Sequence, residues 1–152
     1  VAIEAKGRGC GVTLQTQYEE FSLDTQGDGH IIDVTAHAQK VLANTGFTDG
    51  LCTVFVAHTT CSVAIIEHEP GCDADLNRIF ERLAPERDPW THNELNNDTN
   101  GHSHVRAGIL GPSLTIPFAA GELMLGTWQR VICIDFDDRP RVRRLVVQIL
   151  GG

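Results

Sequence analysis

Residues 50–68, GLCTVFVAHTTCSVAIIEH, decide how the rest of the chain is read. The stretch is rich in β-branched residues, and Thr59–Thr60 divides it into two runs, about 51–58 and 61–67. Such side chains suit the pleated, half-buried surface of a sheet, so both runs are expected to be strands. Joined by a short break, they are expected to form a hairpin, with His58 closing the first strand and Glu67 ending the second, so that the two lie side by side.

The segment downstream changes period. In CDADLNRIFERLAP (72–85), Leu76, Ile79, Phe80 and Leu83 recur at helical spacing, with Asp73 as the cap and Pro85 past the end. Upstream, DVTAHAQKVLANTG (33–46) places Val34, Ala38, Val41 and Leu42 on one helical face, with Asp33 or Thr35 as N-cap and Gly46 beyond the last turn. VTLQTQYEEFSL (12–23) partly alternates and reads as one or two strands with an exposed face. SLTIPFAAGELMLG (113–126) reads as a hairpin turning at Ala120–Gly121, and WQRVICIDFD and RRLVVQIL as two further apolar strands. Two βα segments followed by a run of strands define an α+β fold: one compact domain with a mostly antiparallel or mixed sheet and two main helices. At 152 residues the chain is shorter than the roughly 200 that an eight-stranded α/β barrel requires. Residues 12–152 are read as the domain and 1–11 as a flexible or non-native N-terminal segment.

Composition narrows the function classes. Hydrophobic content of 41 % and charged content of 21 % are those of an ordinary globular protein. A net charge of −8 repels a phosphate backbone and argues against nucleic acid as partner. No apolar run approaches the roughly 20 residues that span a bilayer, and the N-terminus lacks a basic-then-apolar signal pattern, so neither a membrane partner nor export is expected. The five cysteines, an odd count without a C-x-x-C pair, fit reduced thiols in the cytoplasm better than a disulfide framework or a zinc ribbon.

Candidate chemistry concentrates in HNELNNDTNGHSHVRAGILG (92–111), where His92, His102 and His104 fall in what reads as a polar loop. Neutral imidazole is the commonest metal ligand, and on an extended backbone His102 and His104 would point the same way. A plain solvated loop is the competing reading. His58 joins the cluster if that loop folds over it, and Glu67 would then be a ligand, an orienting partner or a general base. Cys61 is read as a small buried hydrophobe rather than a nucleophile. DFDDRPRVRR (135–144) alternates Arg139, Arg141 and Arg143, whose planar forks suit phosphate or carboxylate; a charged edge strand or an Arg–Asp network is the alternative. In LGTWQ (125–129), Gly126 admits close backbone approach, and Thr127 and Gln129 offer hydrogen bonds on either side of Trp128.

The order and spacing of HTTCSVAIIEHEPG, the His92–Asn93 pair, HVRAGILGPSLTIP, GELMLGTWQ and D-x-P-R-x-R over residues 138–143 carry a resemblance. From about residue 12 to 150 the sequence resembles the YjbQ-type proteins, also called the secondary thiamine-phosphate synthase family. The resemblance implies a compact α+β homotrimer with sites near subunit boundaries. It implies His58, His92 and His104 as metal ligands for a zinc-like or magnesium ion, with Glu67 beside them. His102 falls outside the family pattern, as do Ile66 and His68, where Asn is common, and Cys61, where a small residue such as Ala is usual. The linked activity joins a pyrimidine-methyl diphosphate to a thiazole phosphate with release of pyrophosphate. For such a transferase, His58 and Glu67 would be catalytic, and Asn93, Thr127, Gln129, Arg141 and Arg143 would bind a small phosphorylated metabolite. A metal-assisted hydrolase with Glu67 as base, and a non-catalytic trimeric binding module, are the alternatives.

Overall fold

The structure, a computed structural model, describes residues 13–152. The segment 1–11 set apart in the sequence lies outside the described residues. In chain order the elements are β1 (Gln15–Thr25), β2 (His30–Asp33), α1 (Thr35–Thr45), β3 (Asp49–Val56), β4 (Cys61–Glu67), α2 (Pro70–Leu83), α3 (Thr91–Asn96), α4 (Gly101–Leu110), β5 (Ser113–Ala119), β6 (Glu122–Leu123), β7 (Gln129–Asp135) and β8 (Arg141–Gly151). The strands form two antiparallel sheets, one in the order β1-β8-β3-β5-β6 and one in the order β2-β7-β4. The α+β class and the antiparallel pairing agree with the sequence reading; the helices number four among the described residues rather than two.

The expected hairpin between the runs at 51–58 and 61–67 does not form. β3 and β4 belong to different sheets, and residues 57–60 carry the chain from one to the other. The two runs differ in pattern for this reason. β3 alternates exposed and buried along its second half, with Cys52, Val54 and Val56 inward. β4 opens with Cys61, Ser62 and Val63 all buried, because both of its faces are covered. One face joins the main core between the sheets, built on Val54, Val63, Ile116, Cys133, Val147 and α1 residues Ala38 and Leu42. The other packs with α2 and α4 around Phe80, Ala107, Ile132, Ile134 and Phe136.

Helix boundaries follow local chemistry. α2 begins at Pro70, two residues before the expected start, and its cap is Glu69 rather than Asp73: the Glu69 carboxylate accepts the Gly71 N–H at 2.8 Å and the Cys72 N–H. Pro70 suits the first turn because its missing N–H would be unpaired there anyway. Asp73 instead pairs with His68 at 2.9 Å. At α1 the Asp33 carboxylate accepts the Thr35 N–H at 2.8 Å, and Gly46 ends the helix in the left-handed region at φ 71°. Ala120 and Gly121, both at positive φ, turn the β5–β6 hairpin where the sequence placed it.

The largest local correction concerns residues 92–104, read as a polar loop and found within α3 and the first turn of α4. Asn97 in the left-handed conformation stops α3, and the Asn93 carboxamide accepts the Gly101 N–H at 2.8 Å to start α4. Asparagines here punctuate helices. No helix among the described residues is long and apolar enough to cross a membrane.

Candidate functional site

The 57–60 bridge, the first turns of α4 and the start of β8 enclose a cleft with two lobes. An apolar lobe of about 710 Å³ is lined by Phe55, Ala57, Cys61, Ala107, Gly108 and Pro112, with Arg144 at its edge. A polar lobe of about 430 Å³ is lined by Thr60, Asn100, Asp137, Arg141 and Arg143. His58, Thr59 and His104 border both.

A buried ionic network forms the floor. Arg143 donates from Nε to Asp135 at 2.6 Å and from Nη2 to Thr60 at 2.9 Å and to Asp137 at 3.2 Å. Thr60 donates to Asp137 at 2.8 Å and Thr25 to Asp135. Asp135, Asp137 and Arg143 are 0 %, 2 % and 3 % exposed. Strand register brings the partners together, since Cys61 lies opposite Asp135 and Thr25 opposite Arg141. Burial acts to raise the Asp137 pKa, but hydrogen bonds from Arg141 and Thr60, together with the Arg141 charge, hold it well below the usual carboxylate range. Arg143, expected to bind phosphate, therefore has its Nε and Nη2 donors engaged within the fold. Arg141 donates to Asp137 at 3.1 Å and keeps a half-buried place in the polar lobe.

His58 accepts the Arg144 backbone N–H on Nε2 at 2.8 Å. The neutral ring must then carry its proton on Nδ1, which makes it a donor. Burial first, and then the charges of Arg143, Arg144 and Arg141 against Asp135, lower its pKa. His104 is likewise lowered, by burial and by His92. The His92 and His104 rings lie 4.4 Å apart at 42°. Because residues 101–110 are helical, His102 and His104 do not share a direction as an extended backbone would require. His102 is 3 % exposed beside Ser103, whereas His104 faces the cleft.

Several expected site residues lie elsewhere. Glu67 is six residues along β4 from Cys61, about 20 Å at strand rise, and sits opposite Gln129. With the hairpin gone it is not beside His58. Thr127 and Gln129 border a separate cavity of about 480 Å³ with Asp33, Gln39 and Arg130. Asn93 is occupied in starting α4. Cys61 lines the apolar lobe, but its thiol hydrogen-bonds with Cys133 at 3.3 Å, and that bond and burial push its pKa up, which fits the inert reading. The sequence reading passed over Arg144, Thr59 and Asn100; the four-residue spacing of Asn100 and His104, one helical turn, was the available signal for the last.

The implied metal set does not fit this arrangement. Among the described residues, no group of three or more His, Cys, Asp or Glu side chains is placed to hold an ion. His58 already uses Nε2 on a backbone amide, and binding an ion through Nδ1 would require loss of its proton. What the cleft offers instead is neutral imidazoles, a guanidinium and hydroxyls beside an apolar chamber.

Comparison with known proteins agrees with this architecture. A UPF0047 protein from Archaeoglobus fulgidus is 37 % identical over 131 residues, covering 86 % of this chain and 99 % of that one. The crystal structure of a YbjQ-like protein of unknown function from Sulfolobus solfataricus superposes with a TM-score of 0.87 at 28 % identity, over 92 % of this chain and 100 % of the other. An uncharacterized conserved protein of the YjbQ/UPF0047 family from Clostridium acetobutylicum gives 0.80 at 34 % identity, over 86 % and 98 %. With residues 19–152 matching the family described as UPF0047 protein YjbQ-like, the chain belongs to the YjbQ/UPF0047 family.

Proposed function

We propose that the protein is a transferase-type enzyme that handles a small phosphorylated metabolite in the His58–His104 cleft. The observation that carries this reading is the pair of histidines shared by an apolar and a polar lobe, with Arg141 in one and Arg144 beside the other. The apolar lobe receives the organic body of the substrate. Arg141 and the Nδ1–H of His58 meet phosphate oxygens, where charge develops as a phosphate group departs. His104, neutral near pH 7, accepts or returns a proton. The named case is the joining of a pyrimidine-methyl diphosphate to a thiazole phosphate: the thiazole nitrogen bonds to the methylene carbon as the carbon–oxygen bond to pyrophosphate breaks. The test is pyrophosphate release from these two substrates. His58→Ala and His104→Ala should each abolish it with the fold intact; full activity in both variants ends the reading.

The same proposal includes a homotrimer. The outer face of the five-stranded sheet carries exposed Tyr18, Leu51, Phe55, Val142 and Leu150, and Leu51 lies directly opposite Leu150. Thr53, Gln148, Glu20 and Arg144 lie among them on the same face, and apolar side chains set among polar ones in this way mark an interface. Phe55 also borders the cleft, so the site would sit at the margin of that interface. Light scattering should give three times the 16.6 kDa chain mass, and a monomer at micromolar concentration would refute it.

A further inference from the structure

We infer that Asn100 is a ligand-selecting residue of the polar lobe, and that the lobe takes a small oxyanion carrying an adjacent O–H or N–H donor. The inference rests on reading the cleft as an anion site and adds what lies next to the anion.

Asn100 occupies the N-cap position of α4, where asparagine ordinarily turns its carboxamide back onto the first free N–H groups of the helix. Here it makes no such bond. The N–H groups such a cap takes are those of His102 and Ser103, and the Ser103 N–H bonds instead to the Asn100 backbone carbonyl at 2.9 Å, so the Asn100 carboxamide has no part in the local task that explains most asparagines at this position. The residue is 4 % exposed, and its Oδ1 is a buried acceptor with no hydrogen-bond partner among the described residues. A buried, unpaired acceptor destabilises a fold and calls for a reason. Its location supplies one: Asn100 lines the polar lobe, one helical turn before His104 on the same helix face.

The surrounding charges define the complementary ligand. Arg141 and the donor nitrogen of His58 provide a cationic side that an oxyanion would occupy. Asn100 Oδ1 provides an acceptor side that an oxyanion alone would leave unpaired. A phosphate or carboxylate flanked by a hydroxyl or amino group satisfies both sides at once. A bare alkyl phosphate satisfies only the first.

The test uses ethyl phosphate and 2-hydroxyethyl phosphate, which differ by one hydroxyl, titrated calorimetrically into the chelator-treated full chain. The wild type should bind the hydroxylated probe about tenfold more tightly, because a site with a waiting acceptor rejects the analogue that lacks the donor. Asn100→Ala should remove that preference while keeping ethyl phosphate binding. Asn100→Asp should keep the preference, since the acceptor remains, while its charge weakens both probes together. Asn93→Ala, which uncaps α4, should lower thermal stability and leave the ratio of the two affinities unchanged. Equal binding of the two probes by wild type, or a preference that survives Asn100→Ala, overturns the inference and leaves the anion cleft standing. Failure of either phosphate to bind the wild type overturns the anion reading itself.

Discussion

Arg143→Ala separates an arginine that holds the fold from one that holds a ligand. In the structure Arg143 is 3 % exposed, and its donors reach Asp135 at 2.6 Å, Thr60 at 2.9 Å and Asp137 at 3.2 Å. Removing it leaves two carboxylates without their shared cation, one of them fully buried. Breaking a buried pair from one side costs about 3–5 kcal/mol, most of it the uncompensated charge left behind. For a chain of this size each kcal/mol moves Tm by about 2–4 °C, so a fall of roughly 6–20 °C is expected. A solvent-facing phosphate ligand would cost no more than about 0.5 kcal/mol. The assay is urea and thermal unfolding at fixed protein concentration, so that assembly does not contribute to the difference. The double variant Arg143→Ala/Asp135→Ala sharpens it: deleting the carboxylate as well relieves the stranded charge, and the losses should be far from additive. A Tm change below about 2 °C for Arg143→Ala, or additive losses in the double variant, would show that Arg143 is not the cation that holds Asp135 and Asp137.

Three further outcomes follow from the geometry. Glu67→Gln should leave ethyl phosphate affinity within about twofold of wild type, because sites this far apart act independently; a tenfold loss would show that Glu67 reaches the cleft. Added zinc should bind wild type no more tightly than His104→Ala, because no three ligands converge among the described residues and the His58 ring already accepts the Arg144 N–H; tight uptake lost equally in His58→Ala and His104→Ala, measured by calorimetry, would contradict that geometry. Stability should fall as the pH drops below about 6.5, the ordinary histidine value. His58, His102 and His104 are all held below it, chiefly by burial, so the unfolded chain binds protons more readily than the folded one. The depressed Asp137 pKa adds a second loss below about pH 4, and a urea midpoint that rises between pH 7.5 and 5.5 would count against the histidine environments, as read from these shifts.

The sequence revealed the class of most apolar segments but not of the polar ones at α3 and α4, and it concealed partnership. The apolar runs of β3, β4, β7 and β8 were legible from β-branched composition, and the β5–β6 turn from Ala120–Gly121. Nothing in a period of two says which sheet a strand enters, so the 57–60 bridge looked like a hairpin turn, and Glu67 was drawn toward His58. Residues 92–104 looked like a loop because seven of them are Asn, Asp, Gly or Thr; their helices depend on Asn93 capping Gly101 across eight residues, a contact made only after folding. His58 and His104 were legible as candidates, and the structure places both on one cleft. Asn100 was not, because an asparagine before a helix ordinarily needs no explanation beyond its cap.

The place of β8 in the larger sheet sets the order in which the fold can assemble. It follows every other element in sequence yet lies between β1 and β3, pairing Gln15–Thr25 on one side and Gly50–Val56 on the other. Until β8 arrives, those two strands have no common neighbour, and each presents an open edge of N–H and C=O groups that a second chain can pair with. The three-stranded sheet repeats the arrangement, with β7 lying between β2 and β4. Folding therefore waits on two long-range closures, by β7 and by β8, and is slow relative to a helical protein of the same length. A lesion that weakens β8 docking will be felt as aggregation during synthesis before it is measured as lost stability in the finished protein.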